Sequence, residues 1–533
     1  MLRYLIILFL TFLFCLEVHA QYNLVPILQV EGAPGSGMHL GTGILGLGDI
    51  NSDGKPDFAV GAHGVGKTFI YFGGKDVLDG ITDITLAGGD NMVMGDLNGD
   101  GLKDLIIHQR RQAVENAIDS IFIYYGRIPD PVAIDTVPGL IISGGDGFTF
   151  FGNAMDIGDL NNDGFDDLVI GESLFNGSEG KIYIYMGKPQ PSSVADVEVS
   201  GGGKRVYFGH RIRIGDLDGD SIPDLVISSD TRDSSNTNIN LGTIDIYSGG
   251  ENWNFQKHGF KQRLEAIQLG TTALHFFNLV DVNIDGRKDI SCSGERLVST
   301  LFFYGRPDSI RWTPDFIIPS PDTTFYRFFP YAVGVGDINN DSAEDFINIS
   351  FVAGAPGAYL FVYLGFTNPV AKEVGLRGRT FVGSTAFWNV AGVGDVNGNG
   401  VNDFGATVPS DYSGSPDGYF VILSGNSTFT EVEEKGTNTP KDFTLSQNYP
   451  NPFNPQTTIE FTLAKREHVL LIVYDSLGKE IKTLLNAQRL AGTHKVIWDG
   501  TNNEGNKVAS GSYYYRIIRD GSTPETKQLI FLK

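Results

Sequence analysis

Between residues 21 and 425 the apolar positions fall in short β-type runs separated by Gly-rich turns, and the order of the runs repeats. DFAVGA is followed by TFIYFGG, DLVIGE by KIYIYMG and DFGATV by GYFVILSG, each a pair of antiparallel strands. A further short strand stands upstream of each pair: PILQVEG, DITLAGG, GLIISGG, DVEVSGG, LEAIQLG, FIIPSP and EVGLRGR in chain order. Each is predicted to be the outer strand of the preceding sheet. The first, Pro26 to Gly32, has no preceding sheet, and the last sheet has no strand after Val421 before a polar stretch begins. The N-terminal strand is therefore expected to complete the last sheet and close a ring, which removes exposed edges.

The repeat length is roughly 60 residues, the size of a propeller or solenoid unit. One acidic loop marks each repeat. In GDLDGDSIPDL, Asp216, Asp218 and Asp220 stand at positions 1, 3 and 5, so a tight turn aims three side-chain oxygens at one point; position 7 adds a backbone carbonyl and Asp224 at position 9 closes the shell. The spacing recurs at Asp49, Asn51, Asp53 and Asp57; Asp96, Asn98, Asp100 and Asp104; Asp159, Asn161, Asp163 and Asp167; Asp281, Asn283, Asp285 and Asp289; Asp337, Asn339, Asp341 and Asp345; and Asp395, Asn397, Asn399 and Asp403. An all-oxygen set suits a hard cation taking six to eight ligands, and no sulfur or imidazole competes for a softer metal. The loops are read as sites for up to seven structural Ca²⁺ ions. Position 6 is Gly except at Ser221 and Ser342, position 2 is always aliphatic and position 10 always large and apolar. An EF-hand is excluded, because the glutamate of position 12 and the flanking helices are missing. On ligand charge alone, the Asp216 loop is expected to bind tightest and the Asp395 loop, with two carboxylates, weakest.

Composition changes this picture little. Gly is 68 of 533 residues, which favours a turn-rich all-β protein. The formal charge of −23 is concentrated in the loops, so it reports metal sites and disfavours nucleic acid as a partner. Residues 1–20 read as a secretory signal, with Arg3, an apolar run from Tyr4 to Leu16 and Val18-His19-Ala20 before the cut; no later run is long enough to span a bilayer. Cleavage removes Cys15 and leaves Cys292 as a buried structural thiol, so calcium, not a disulfide, is the expected staple.

Two phosphate motifs are decoys. Gly61 to Thr68, GAHGVGKT, fits the phosphate-loop pattern and Gly41-x-Gly43-x-x-Gly46 the dinucleotide fingerprint, but neither precedes a helix that would supply amides and dipole. The nine His are scattered, with no zinc-protease or hydrolase signature; His210 and His275 are read as packed. Arg110, Arg111, Asp411 and Tyr412 are expected in loops on the face opposite the metals, as are the carboxylates Glu172 and Asp230.

Phe151-Gly152 and Phe208-Gly209, each followed by a DxDxDGxxD-type loop, resemble the FG-GAP repeats of integrin α-subunit propellers and related bacterial repeats. The resemblance implies structural calcium loops on one face and partner binding on the other. Residues 426–441 read as a linker. From 442 to 533 the texture becomes that of a β-sandwich. Asn451-Pro452-Phe453-Asn454-Pro455 with Thr457, Trp498-Asp499-Gly500 and Ser510-Gly511-Ser512-Tyr513 resemble the C-terminal sorting domain of the type IX secretion system, related to the Ig-like domain of flagellar hook-capping proteins. That resemblance implies passage through the outer membrane, then release or attachment at the surface.

The chain is thus expected to be all-β, a seven-bladed β-propeller over 21–425 followed by a small Ig-like β-sandwich over 442–533. The function expected is adhesion to an extracellular glycan or protein ligand. The alternative is an extracellular polysaccharide-degrading enzyme with its site on the face opposite the calcium loops, although no acid/base pair or nucleophile can be placed from the sequence.

Overall fold

The computed structural model describes residues 26–425 and 443–532, apart from internal stretches of which the longest are 111–117, 233–239, 252–259, 266–275, 320–326, 366–378, 382–388 and 409–416. The expected leader and linker lie outside the described residues. Contacts divide the chain into two compact units, Met1–Val432 and Glu433–Lys533.

The first unit contains seven four-stranded antiparallel sheets among the described residues. Their innermost strands are Leu40–Gly48, Met92–Gly95, Phe151–Gly158, Arg211–Gly215, Phe276–Val280, Arg327–Gly336 and Asn389–Gly394. Each touches the innermost strand of the next sheet, and the last touches the first, so the sheets form a closed circle of propeller type. Six sheets are built in simple chain order. The seventh runs Pro26–Glu31, Tyr419–Leu423, Asp403–Val408, Asn389–Gly394, so the N-terminal strand supplies its outer edge. Beside that seam Asp417 accepts bonds from Gly35 N–H at 2.7 Å, Gly37 N–H at 2.8 Å and the Ser36 hydroxyl at 3.1 Å.

The second strand of each sheet begins at the last aspartate of the acidic loop; Asp57–Ala62, Asp167–Glu172 and Asp403–Val408 are buried along their whole length, and Asp104–Gln109 at all but its last residue. Such strands are covered on both faces, which explains why DFAVGA and DLVIGE read as continuous apolar runs rather than alternating ones. The core is accordingly a series of slabs between neighbouring sheets: Leu217, Ile244 and Leu264 meet Phe277, Ile290 and Phe303, and Phe58, Val60 and Tyr71 meet Val393, Phe420 and Ile422. Where the slabs thin out near the axis, backbones come close. A Cβ on Gly46 would stand 2.6 Å from Gly392 O, which is why glycine, and no nucleotide fingerprint, is needed there. The phosphate-loop decoy is likewise a strand end at Ala62, a turn over His63–Val65 and a new strand Lys67–Tyr71.

Two outer strands differ from expectation. In the fourth sheet the strand is Phe260–Glu265, not LEAIQLG: Gln262 and Leu264 face inward and Lys261 and Arg263 outward, a polar alternation that an apolar search overlooks. In the sixth it is Arg379–Phe381, and most of EVGLRGR lies outside the described residues. Cys292 is fully buried among the slabs, and burial pushes its thiol up.

The second unit is a sandwich. A sheet of Thr444–Leu445, Thr457–Leu463 and Gly492–Trp498 faces one of Glu480–Arg489, Glu467–Tyr474, Gly511–Arg519 and Glu525–Phe531. Thr457–Leu463 alternates strictly between buried and half-buried, as a strand with one core face must. Phe453 of the Asn-Pro-Phe-Asn-Pro motif packs on Trp498 and Phe531, and its backbone is clipped to the last strand by bonds to Ile530 O and from Leu532 N–H, both 3.0 Å.

Candidate metal centre

The link between first and second strand of every sheet is the acidic loop, so the repeated topology brings all seven to the same end of their sheets. The aspartate at position 9 anchors each loop. Asp57, Asp104, Asp167, Asp224, Asp289 and Asp345 are buried, and one carboxylate oxygen of each accepts the N–H of position 2 at 2.8–3.1 Å. The other oxygen accepts from a glycine just beyond the third strand: Gly73, Gly126, Gly187, Gly249, Gly305 or Gly365, at 2.7–3.2 Å. This contact ties the loop to the sheet it starts. Burial outweighs these bonds and pushes the carboxyls up, to about 6 for Asp104, Asp224 and Asp403, about 7 for Asp57, Asp167 and Asp345, and about 8 for Asp289.

The aspartate at position 1 bends the turn. Its carboxylate accepts the N–H of position 6 at 2.7–3.0 Å in all seven loops. Position 6 therefore needs positive φ, and Ser221 and Ser342 adopt it at 71° and 72° where the other loops use glycine. Position 4 needs it too, as Ser52, Asn162, Ile284 and Asn340 show. At position 3 the five Asn51-type amides donate to the carboxylate at position 5, at 2.9–3.2 Å. Each such loop holds its carboxylates together with its own donors.

Two loops depart from this scheme. In the seventh, the Asn397 amide donates to Asp403 at 2.9 Å and to Ser424, and Asn399 also donates to Ser424. In the fourth, Asp218 has no amide to give, and Lys261 Nζ stands 2.5 Å from its carboxylate. Asp216, Asp218 and Asp224 each offer an oxygen within 4.8 Å of the others, a separation that one cation with ligands at about 2.3–2.6 Å can span. With hard oxygen donors only, this set fits Ca²⁺ far better than a thiophilic metal.

Among the described residues at the opposite end of the strands, no such set repeats. Glu172 is buried and accepts the Tyr183 hydroxyl at 2.5 Å; Asp230 is buried at the end of its strand. His210 packs edge-on against Phe276. Arg111, His275, Asp411 and Tyr412 lie outside the described residues. A grouping that the sequence did not reveal is His63 Nδ1 against Asp90 Oδ2 at 3.0 Å, where Asp90 also accepts Arg110 N–H at 2.7 Å. His108 is buried nearby, and burial lowers its imidazole. The sequence sign was a pair of histidines, His63 inside the phosphate-loop decoy and His108 near the end of an apolar strand.

Three segments of the chain match known family models. Residues 41–75 match the FG-GAP repeat, residues 159–227 the FG-GAP-like repeat and residues 453–521 the FlgD Ig-like domain. The chain is 29% identical over 211 residues to integrin alpha-5 of Xenopus laevis, a match covering 35% of this chain and 19% of the relative. It is 26% identical over 239 residues to phosphatidylinositol-glycan-specific phospholipase D of Dictyostelium discoideum, covering 39% and 23%. The chain thus spans less than a quarter of the length of these curated relatives. Among solved structures, the Dos1 propeller aligns with TM-score 0.39 at 11% identity, over 71% of this chain and 78% of that one. BBS1N in complex with ARL6DN aligns with TM-score 0.44 at 13% identity, over 78% and 100%.

Proposed function

We propose that this integrin-like FG-GAP β-propeller, followed by an Ig-like domain of the FlgD type, is a calcium-stabilised binding protein that acts outside the cell. The observation that carries the reading is the contrast between the two ends of the sheets. At one end the acidic loop is rebuilt in every sheet around the same bond from the N–H of position 6 to the aspartate of position 1, as a structural device requires. At the other the described side chains differ from sheet to sheet, as a surface selected for a partner requires. Asp49, Asp53 and Asp57 with Asn51, and their counterparts in the other sheets, would hold the ions. When bound, Ca²⁺ supplies positive charge that lets each turn keep its carboxylates close; the chain itself orients them through the N–H groups of positions 2 and 6.

The partner class proposed is an extracellular glycan or protein, and the route is export by a leader over 1–20 and by type IX machinery reading the C-terminal domain. Support for that route is the Asn-Pro-Phe-Asn-Pro clip and the match to the FlgD Ig-like domain. The test is binding of the purified mature chain, with calcium and after its removal, to an array of glycans and matrix proteins, with polysaccharide products assayed in the same wells. Calcium-dependent binding without product is the expected result. Product release, abolished by changing carboxylates outside the seven loops, makes the protein an enzyme instead.

A further inference from the structure

We propose that Lys261 is a tethered cation built into the acidic loop of the fourth sheet, competing there with Ca²⁺ and making the most acidic loop one of the less demanding for metal. The inference rests on the reading that the loops take calcium. Six loops place Asn at position 3, and in five of them its amide donates to the carboxylate at position 5. The fourth loop has Asp218 instead, which cannot donate, so Asp218 and Asp220 would face each other as bare like charges. Lys261 supplies the missing donor, with Nζ 2.5 Å from Asp218 Oδ2 and both side chains largely shielded, 20% and 13% exposed.

The ladder shows how the lysine gets there. In the first, third and fifth sheets the residue just before the outer strand is Asp83, Asp196 or Asp315, each accepting an N–H beyond the third strand, from Phe72, Met186 or Tyr304. Gln262 pairs with Ile246 as Ile84 pairs with Ile70, so Lys261 occupies that same place with the opposite charge. A bulge between Ile246 and Tyr247 inserts it as an extra residue, and a bulge re-aims the side chain it carries. The seventh sheet has a bulge at the same register, but there the extra residue is Ile27, beside the loop with only two carboxylates. Among the described residues, the extra carboxylate and the extra ammonium therefore occur together, in the fourth sheet. With Lys261 counted, the four carboxylates of the fourth loop carry the net charge of the three in the first, second, third and sixth loops, and the count of carboxylates overstates its hold on calcium.

The test is calorimetric titration of the calcium-stripped full chain with Ca²⁺, comparing wild type, Lys261→Met and Lys261→Met combined with Asp218→Asn. Loss of the ammonium is expected to tighten one site by about tenfold or more, and the second change to return that site toward its wild-type affinity. Amine labelling of the wild-type chain, read by mass spectrometry, gives a measure independent of any variant: Lys261 is expected to react faster with calcium present, because the ion displaces it. Unchanged or weaker affinities in Lys261→Met, or labelling of Lys261 indifferent to calcium, overturn the inference while leaving the calcium reading intact. A wild-type chain that takes up no calcium overturns both.

Discussion

Asp289 carries the most displaced of the loop carboxyls, and it shows what the position-9 residues do to stability. Burial raises it, against the N–H bonds from Gly305 and Val282, and Asp281 and Asp285 raise it further, to about 8. Asp57, Asp167 and Asp345 follow at about 7. An unfolded aspartate titrates near about 3.9. Between these values the folded, calcium-free chain binds protons that the unfolded chain has already released, so its stability falls as pH rises from about 4 to about 8. This is the reverse of an ion-paired aspartate, whose folded value is depressed. Thermal unfolding of calcium-stripped protein is therefore expected to give a Tm several degrees lower at pH 8 than at pH 5, with the difference removed by saturating calcium. A Tm that climbs with pH in the absence of calcium contradicts the role given to these carboxylates. The loops themselves are legible in the sequence, since their oxygens lie within nine consecutive residues. Lys261 is not, because its reach to Asp218 depends on strand register; nor is the His63 to Asp90 contact, which joins different sheets.

At the level of single elements, closure of the ring was readable because one strand lacked a sheet and one sheet lacked a strand. Pro26–Glu31 pairs with Tyr419–Leu423 as that deficit requires. What the sequence concealed is the clasp beside the seam. Asp417 gathers Gly35, Ser36 and Gly37, and its carboxyl is held below the ordinary range: burial opposes this, and the N–H groups of Gly35 and Gly37 and the Ser36 hydroxyl overcome it. Asp417→Ala removes three bonds to a charged acceptor and is expected to lower the urea midpoint of the first unit in calcium. An unchanged midpoint would show that strand pairing alone holds the seam. The outer strand of the fourth sheet was misplaced in the sequence for a related reason: an edge strand whose inward positions include Gln262 has no apolar signature, and Gln262 is accommodated only by its bonds to Ile310, the amide donating at 2.7 Å and the carbonyl accepting at 2.9 Å.

For the molecule as a whole, the acidic loops all belong to the first unit, while the sandwich is held by Phe453, Trp498, Tyr515 and Phe531 without any of them. The two units should respond differently to calcium. Calorimetric heating of the full chain is expected to show two transitions, of which removal of calcium lowers only the larger. A single transition that shifts as one would mean that the sandwich depends on the propeller for its folding. The formal charge of −23 points the same way, since seven divalent ions would offset more than half of it and all of that relief would fall on the first unit.

The strand Pro26–Glu31 also sets an order of events. It is the first described segment of the chain, and its partner, Tyr419–Leu423, comes almost four hundred residues later. Bringing such distant segments together costs on the order of 5 kcal/mol in chain entropy before any contact is made. A chain that emerges from a ribosome or a pore one end first must therefore keep its opening strand waiting, unpaired, until nearly the entire propeller has appeared. Whatever holds or shields that strand during the delay decides when the circle locks.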